Sequence, residues 1–98
     1  MAIFRISIKA EQDLANIGFY TKSTWGLEQS KIYLLRLDKC FHFIAQNPDI
    51  GKNCDNIRDN YRKYPEGTHV IFYRINQNNV VEIMRILHQQ MDVELNLQ

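Results

Sequence analysis

The apolar residues of this chain change their spacing midway along the sequence. In the first half they recur every three or four residues, as on one side of an α-helix. In the second half they form short runs separated by polar turns, which is typical of strands. The change predicts an α+β domain in which two consecutive helices precede a set of hairpin-connected strands.

The first half opens with "IFRISI", residues 3–8, which predicts a short strand. A helix follows and ends at Gly26, and we expect Trp25 to pack inside the helical pair rather than face a partner. The second helix is predicted from Leu27 to Ala45, with the apolar stripe Leu27, Leu34, Leu37, Phe41, Ile44 and Ala45. The short link at Gly26 predicts an antiparallel helical hairpin.

The second half predicts three strands: residues 56–64 near a sheet edge, 69–75 at the centre, and 80–88. "PEGT" and "NQNN" supply the turns between them. The tail alternates apolar Met91, Val93, Leu95 and Leu97 with polar residues, as if part of a receiving surface or the cover of a sheet edge. The predicted order is therefore β-α-α-β-β-β, with the helical hairpin on one face of a mostly antiparallel sheet.

Composition narrows the class of protein. With 98 residues, 45% of them hydrophobic, we expect a single domain over residues 1–98. The net charge of +1 supplies no global attraction to nucleic acid, and no apolar run is long enough to span a membrane.

The start of the chain has no signal-peptide pattern, so a cytoplasmic location is expected. Cys40 and Cys54 are predicted to be free thiols, and the three histidines lack metal-ligand spacing, so no metal or cofactor is expected.

Three stretches, "NPDIG", "IRDNYRKYPEGTHVIFYRI" and "VVEIMRILHQQMD", together resemble the ParE toxins of the wider RelE/ParE superfamily. The resemblance spans nearly the whole chain in the right order. It implies a small cytoplasmic toxin of a type II toxin–antitoxin module, held inactive by a ParD-like antitoxin. It also implies that the free toxin acts on DNA gyrase, through the A subunit, and traps it on cleaved DNA.

The RelE-type members of the superfamily cut messenger RNA on the ribosome, which leaves a ribonuclease as the alternative. Such a site needs converging cations and a proton-transfer group, for which Arg58, Arg62, Arg85 and His88 are the candidates. In regular strands Arg58 and Arg62 share a face, while Arg85 lies with Val81, Ile83 and Leu87, opposite His88. We therefore predict no catalytic residue, and expect Asp92 or Glu82 to pair with Arg85.

The predicted functional surface is a set of partner-binding residues in the basic strand region and near the C-terminal end: Arg58, Tyr61, Arg62, Lys63, Arg85, His88, Met91 and Asp92. Grooves beside the helical hairpin and an exposed sheet edge are the expected receivers of an antitoxin segment. Aromatic residues interleave with the basic ones, but aromatics are common in strands, so we expect no strong direct binding of nucleic acid. A third reading is a decayed toxin that only binds its antitoxin.

Overall fold

The computed structural model describes residues 3–97. In chain order the elements are β1 (Phe4–Ile6), α1 (Ile8–Trp25), α2 (Leu27–Gln46), β2 (Lys52–Asn53), β3 (Tyr61–Glu66), β4 (His69–Ile75), β5 (Val81–His88) and α3 (Val93–Asn96), with a 3₁₀ turn at Pro48–Ile50. The strands form one sheet in the order β1-β5-β4-β3-β2, in which β1 runs parallel to β5 and every other pair is antiparallel. The predicted α+β fold with a mostly antiparallel sheet is confirmed.

The helical hairpin begins and turns at residues suited to those tasks. The Ser7 hydroxyl accepts a hydrogen bond from the Ala10 amide at 3.0 Å and caps α1, so the helix begins earlier than the sequence pattern indicated. Gly26 has a φ of +97°, a backbone conformation that favours glycine, and it separates the two helices as predicted. The hairpin is held closed near Gly18, whose carbonyl accepts a 2.8 Å hydrogen bond from the Ser30 hydroxyl.

The central strand β4 is buried on both faces of the sheet, as predicted. Ile71, Phe72 and Tyr73 are consecutive, point to alternate faces, and are each at most 1% exposed. Ile71 and Tyr73 face the helical hairpin in a hairpin-side cluster: Ala10, Ile17, Leu37, Cys40, Phe41, Ile44, Ile71, Tyr73, Val81, Ile83 and Ile86. Phe72 belongs to a tail-side cluster: Cys54, Tyr61, Phe72, Leu87 and Leu97. The two cysteines are free, as predicted, and lie on opposite faces.

The third strand begins later than the predicted range of residues 56–64. Residues 55–60 form turns because Asp55 accepts a hydrogen bond from the Asn60 amide at 2.8 Å, and Asn60 adopts a φ of +67°. The strand then continues through Pro65, which the sequence had placed in a turn. Pro65 lies beyond the part of β3 that pairs with β2, so its missing N–H is tolerated as on an edge strand.

A bulge in β5 changes which side chains share a face. Phe72 is paired with Arg85 and Tyr73 with Ile83, which leaves Met84 as an extra residue in β5. The prediction that Arg85 lies with Val81 and Ile83 is therefore wrong, because those two residues belong to the hairpin-side cluster. Arg85 lies on the tail side with Leu87 and opposite His88, as predicted for those two residues.

The C-terminal tail is a short helix rather than an alternating extended segment. The Asp92 carboxylate accepts a hydrogen bond from the Leu95 amide at 3.1 Å and caps α3. The chain is therefore helical from Val93 onward rather than extended. Leu97 is 4% exposed within the tail-side cluster. The tail thus covers the sheet face opposite the helical hairpin, not an edge of the sheet.

Two further predictions about the helices are wrong. Leu27 and Trp25 are 54% and 70% exposed, so neither packs inside the hairpin, although the rest of the predicted stripe on α2 is buried or half-buried. Within residues 3–97, no helix combines the length and the apolar character needed to cross a membrane.

A candidate partner-binding groove beside the helical hairpin

A groove of about 700 Å³ runs between the helical hairpin and the ends of β4 and β5. This volume is within the range of binding pockets in proteins. Its apolar half is built from large side chains that the core does not cover: Tyr20, Trp25, Ile32 and Met91 are 66%, 70%, 44% and 49% exposed. Clustered exposed apolar side chains of this size mark an interaction surface more often than chance exposure.

The other half of the groove is polar and contains two imidazoles packed edge to face. His69 and His88 face each other across β4 and β5, with ring centroids 5.4 Å apart and planes at 82°. The Tyr33 hydroxyl lies 2.6 Å from Nδ1 of His69. Arg36 lies over the Tyr33 ring at 5.7 Å and is hydrogen-bonded to the Glu66 carboxylate at 2.8 Å.

Burial lowers the pKa of His69, and the neighbouring His88 lowers it further, while Asp13 acts in the opposite direction. The folded protein therefore binds a proton at His69 less readily than the unfolded chain does. The contribution of neutral His69 to the free energy of unfolding is complete above about pH 6.5, the ordinary pKa of histidine. That contribution is lost as the pH falls below this value. We expect His69→Gln to flatten the decline of unfolding free energy on the acid side of about pH 6.5.

The free energy of unfolding is measured in urea at a series of pH values. The variants are compared by the slope of this free energy against pH, not by its absolute value. His42→Gln is the matched control, because His42 is exposed on α2 and lies outside the histidine pair, 3.5 Å from the Asp38 carboxylate across one turn and edge-on to Phe4 at 4.9 Å. An unchanged slope in His69→Gln would show that His69 titrates alike in both states.

Of the predicted basic residues, Arg58 and Arg85 meet neighbouring carbonyls of the tail, whereas Arg62 lies on the other face of the sheet. Arg58 lies in a turn and donates to the Leu97 carbonyl at 2.7 Å, whereas Arg62 donates to the Gly51 carbonyl at 2.8 Å. Arg62 pairs with Tyr73 and so lies on the hairpin side, which contradicts the prediction that Arg58 and Arg62 share a face. The guanidinium groups of Arg58 and Arg62 therefore serve separate parts of the fold.

Arg85 has a structural role, because it pairs with an acidic residue that the sequence pattern did not predict as its partner. It forms two hydrogen bonds with the Asp13 carboxylate, at 2.8 and 2.9 Å, and a third with the Asn96 carbonyl at 2.8 Å. The prediction of Asp92 or Glu82 as counter-ion is wrong, because Asp92 caps α3 and Glu82 pairs with Arg74 at 2.7 Å. The hydrogen bonds that Arg85 donates to the Asp13 carboxylate raise the pKa of Arg85 above its ordinary value.

The eight predicted partner-binding residues therefore fall into three groups. His88 and Met91 line the groove. Arg58 and Arg85 hold the carbonyls of the tail. The other four are separate: Tyr61 is only 4% exposed, Lys63 pairs with Phe72 across the sheet, Arg62 faces the hairpin side, and Asp92 caps α3. The Tyr61 ring is buried in the tail-side cluster, with the Arg58 guanidinium over it at 5.4 Å.

Sequence reasoning missed most of the groove: Tyr20, Ile32, Tyr33, Arg36 and His69 were not predicted as functional. One signal was present. Phe19 and Tyr20 are adjacent aromatics on α1, and both are largely exposed. Among residues 3–97, no three His, Cys, Asp or Glu side chains are placed to share a metal ion.

The chain is similar in sequence to proteins of a known family. The family described as "ParE toxin of type II toxin-antitoxin system, parDE" matches residues 4–93. "Toxin ParE1" of Mycobacterium tuberculosis is 39% identical over 94 residues, which cover 96% of each chain. "Toxin ParE1" of Caulobacter vibrioides is 38% identical over 97 residues, which cover 99% of each chain.

Two solved structures have the same fold at lower sequence identity. A chain of the chromosomal ParDE toxin–antitoxin system from P. aeruginosa gives a TM-score of 0.76 at 17% identity, covering 90% of this chain and 96% of that one. A chain of the RelBE2 toxin–antitoxin complex from Mycobacterium tuberculosis gives 0.66 at 20% identity, covering 89% and 96%. The family match and the two near-full-length relatives establish that the chain belongs to the ParE toxins of type II toxin–antitoxin systems.

Proposed function

We propose that residues 1–98 form a single toxin domain that poisons DNA gyrase, through contact with the A subunit, and that a ParD-like antitoxin neutralises it. One observation carries the proposal: identity of 38–39% to proteins named "Toxin ParE1" extends over 96–99% of the chain. Full-length identity of this kind preserves the whole fold, and not just a motif. The proposed mode of action is docking rather than a reaction performed by the chain's own residues.

The positions of the basic residues support docking over catalysis. A ribonuclease site needs cations gathered around one scissile phosphate. Here Arg58 and Arg85 are occupied by tail carbonyls, and Arg62 by the Gly51 carbonyl on the other face of the sheet. His88 lies in the groove, away from all three. The surface left for gyrase is the exposed part of β3 and the tail, including Lys63 and Asp92.

The groove supports the antitoxin half of the proposal. Its exposed aromatic and aliphatic side chains suit the apolar face of an amphipathic helix, which binds through residues spaced three and four apart. Both solved structures of the same fold are described as toxin–antitoxin systems or complexes. We therefore place the antitoxin in the groove, with His88 and Met91 among its contacts.

The test of gyrase poisoning incubates the purified chain with gyrase and supercoiled plasmid. We expect linear plasmid covalently linked to protein after denaturation, because a poison stabilises the cleaved intermediate. A parallel reaction contains translating ribosomes and messenger RNA, and we expect the message to remain intact.

Cleaved message together with untouched gyrase would instead establish the ribonuclease alternative. Normal growth of cells that express the chain without antitoxin, at a confirmed yield of folded protein, would establish the decayed toxin.

Trp25 supplies the sharpest test of the antitoxin site. Trp25→Ala removes a large aromatic surface from the groove, and truncation of a central aromatic anchor typically costs 2 kcal/mol or more, which is about 30-fold in affinity. We expect that loss in titration calorimetry against a ParD-like antitoxin that neutralises the wild-type chain. We also expect Trp25→Ala to keep its gyrase-poisoning activity.

Phe19→Ala is the matched control for Trp25→Ala. Phe19 is also on α1 and is 73% exposed, but it lies outside the groove. We expect its affinity for antitoxin to stay within about threefold of wild type, as for a surface residue away from the interface. Equal losses in the two variants would place the antitoxin elsewhere.

A further inference from the structure

The polar end of the groove presents two imidazoles whose Nδ1 atoms are already in use. The backbone amide of Gln90 lies 3.1 Å from Nδ1 of His88. An amide N–H only donates, so this Nδ1 accepts, and the neutral His88 ring carries its proton on Nε2. At His69, Nδ1 lies 2.6 Å from the Tyr33 hydroxyl and 3.3 Å from the Thr68 hydroxyl. When Tyr33 donates to Nδ1, Nε2 is the donor there too; when Tyr33 donates to the Glu66 carbonyl instead, Nδ1 donates to Tyr33.

The two rings differ in how they accept a second proton. A protonated His88 would bring an Nδ1 hydrogen against the Gln90 amide hydrogen and lose that hydrogen bond. A protonated His69 keeps its contact, because the Tyr33 hydroxyl can accept from Nδ1 and donate to the Glu66 carbonyl, 3.2 Å away. His69 can therefore take a proton without losing a hydrogen bond, whereas His88 would lose its bond to the Gln90 amide.

The charged side chains that line this end of the groove favour the binding of an anion. The groove lining contains Arg36, His69 and His88 and no carboxylate. The two carboxylates nearest the histidines belong to other contacts. Glu66 is bonded to Arg36 and to the Cys40 thiol at 3.0 Å, and Asp13 is bonded to Arg85. A negatively charged group that enters the groove meets N–H donors and a guanidinium, and no lining carboxylate repels it.

We propose that this end of the groove is a binding site for one carboxylate, supplied by an Asp or Glu side chain of the antitoxin segment whose apolar residues fill the half lined by Tyr20, Trp25 and Ile32. The proposal rests on the proposed antitoxin function and names the chemistry of that partner. The occupant is thus an acidic amphipathic helix, oriented so that its acid reaches the ends of β4 and β5. The carboxylate accepts from the histidine pair, and the Arg36 guanidinium, paired with Glu66, lies at the rim.

Proton uptake is a consequence of this arrangement. In the free protein, burial and His88 keep the pKa of His69 below its ordinary value. A bound carboxylate favours the charged ring and raises that pKa, so binding takes up a proton. Affinity for an acidic segment should therefore rise as pH falls from about 7.5 to about 6, within the range where histidine titrates.

The experiment displays a library of helical peptides of about 20 residues, with apolar residues fixed at positions spaced three and four apart and the others randomised, and selects with the full-length chain as bait. We expect Asp or Glu to be enriched at one position relative to the apolar stripe. A selected peptide and its Glu→Gln or Asp→Asn counterpart are then compared by calorimetry. We expect the amide to bind about tenfold more weakly at pH 6 to 7, as for loss of a charge-assisted hydrogen bond.

A double variant locates the effect, and a matched histidine controls for it. For the protein that carries both His69→Gln and His88→Gln, the affinities of the acidic peptide and of its amide counterpart should agree within about twofold. His42→Gln, outside the groove, should retain the full difference. Comparing the two peptides on the unmodified chain needs no substitution in the protein, so a folding defect cannot decide the outcome.

The results separate this proposal from the one on which it rests. Peptides that depend on Trp25 but show no preference for an acid, or an acid preference that persists in the double variant, would overturn the carboxylate site and leave the antitoxin groove intact. Selected peptides that bind Trp25→Ala as tightly as wild type would overturn both. An acid preference that depends on both Trp25 and the histidines supports both.

Discussion

Asp13→Ala is expected to lower the free energy of unfolding by about 3 to 4 kcal/mol. The Asp13 and Arg85 side chains are only 13% and 20% exposed, and the substitution leaves the guanidinium largely buried without its counter-ion. It also removes the acceptor of the Ile86 amide, which donates to Asp13 at 2.9 Å on the side of β5 beyond the end of β1. The measurement is urea unfolding followed by circular dichroism.

Asp38→Ala is the control for this prediction. Asp38 is an exposed helical aspartate whose contact is with His42 one turn away, so its loss should change the unfolding free energy by less than about 0.5 kcal/mol. If the two variants lose similar stability, the Asp13–Arg85 pair contributes no more than a surface ion pair.

Phe41→Ala is expected to be similarly severe, at about 4 kcal/mol. Phe41 is 1% exposed and lies edge-on to Phe4, with ring centroids 5.7 Å apart. It joins α2 to the first strand, so its removal leaves a cavity between the helical hairpin and the sheet. Unfolding in urea should show a lower midpoint with an unchanged dependence on denaturant, as for a cavity in an otherwise intact two-state fold.

The same chain offers a matched phenylalanine on the other helix. Phe19→Ala removes the same atoms from a side chain that is 73% exposed, and we expect a change below about 0.5 kcal/mol. A cost for Phe41→Ala no greater than that for Phe19→Ala would mean that the hairpin is not held to the sheet by this contact.

The order of the six predicted elements was predictable because local signals agree with the global fold, whereas the two-residue strand β2 and the helix α3 were not predicted. Gly26 separates two periodic segments, and the run from His69 to Ile75 has the continuous apolar pattern of a strand covered on both faces. The start of β3 was not predictable from hydrophobicity. Side-chain hydrogen bonds of Asp55 hold the preceding residues in turns, and such local competition leaves no trace in an apolar pattern.

The candidate site was harder to predict, because its parts are distant in sequence. Arg85 and Asp13 are 72 residues apart, and the bulge at Met84 changes the face of every later residue in β5 relative to the residues before it. Parity along a strand holds only for regular strands. A groove beside the helical hairpin was expected, but the residues that line it were not. The apolar stripe of a helix indicates which side chains are buried, whereas Trp25 and Tyr20 line the groove because they are exposed.

The placement of the two thiols provides a means of following each layer of the molecule separately. Cys40 lies beneath the helices, where burial and then Glu66 raise its pKa to about 12, and Cys54 lies beneath the tail. A thiol-specific reagent modifies only the ionised, accessible form. Labelling at Cys40 therefore reports the lifting of the helices, labelling at Cys54 reports the lifting of the tail, and mass spectrometry distinguishes the two. An antitoxin that binds the groove should slow modification of Cys40 and leave that of Cys54 unchanged.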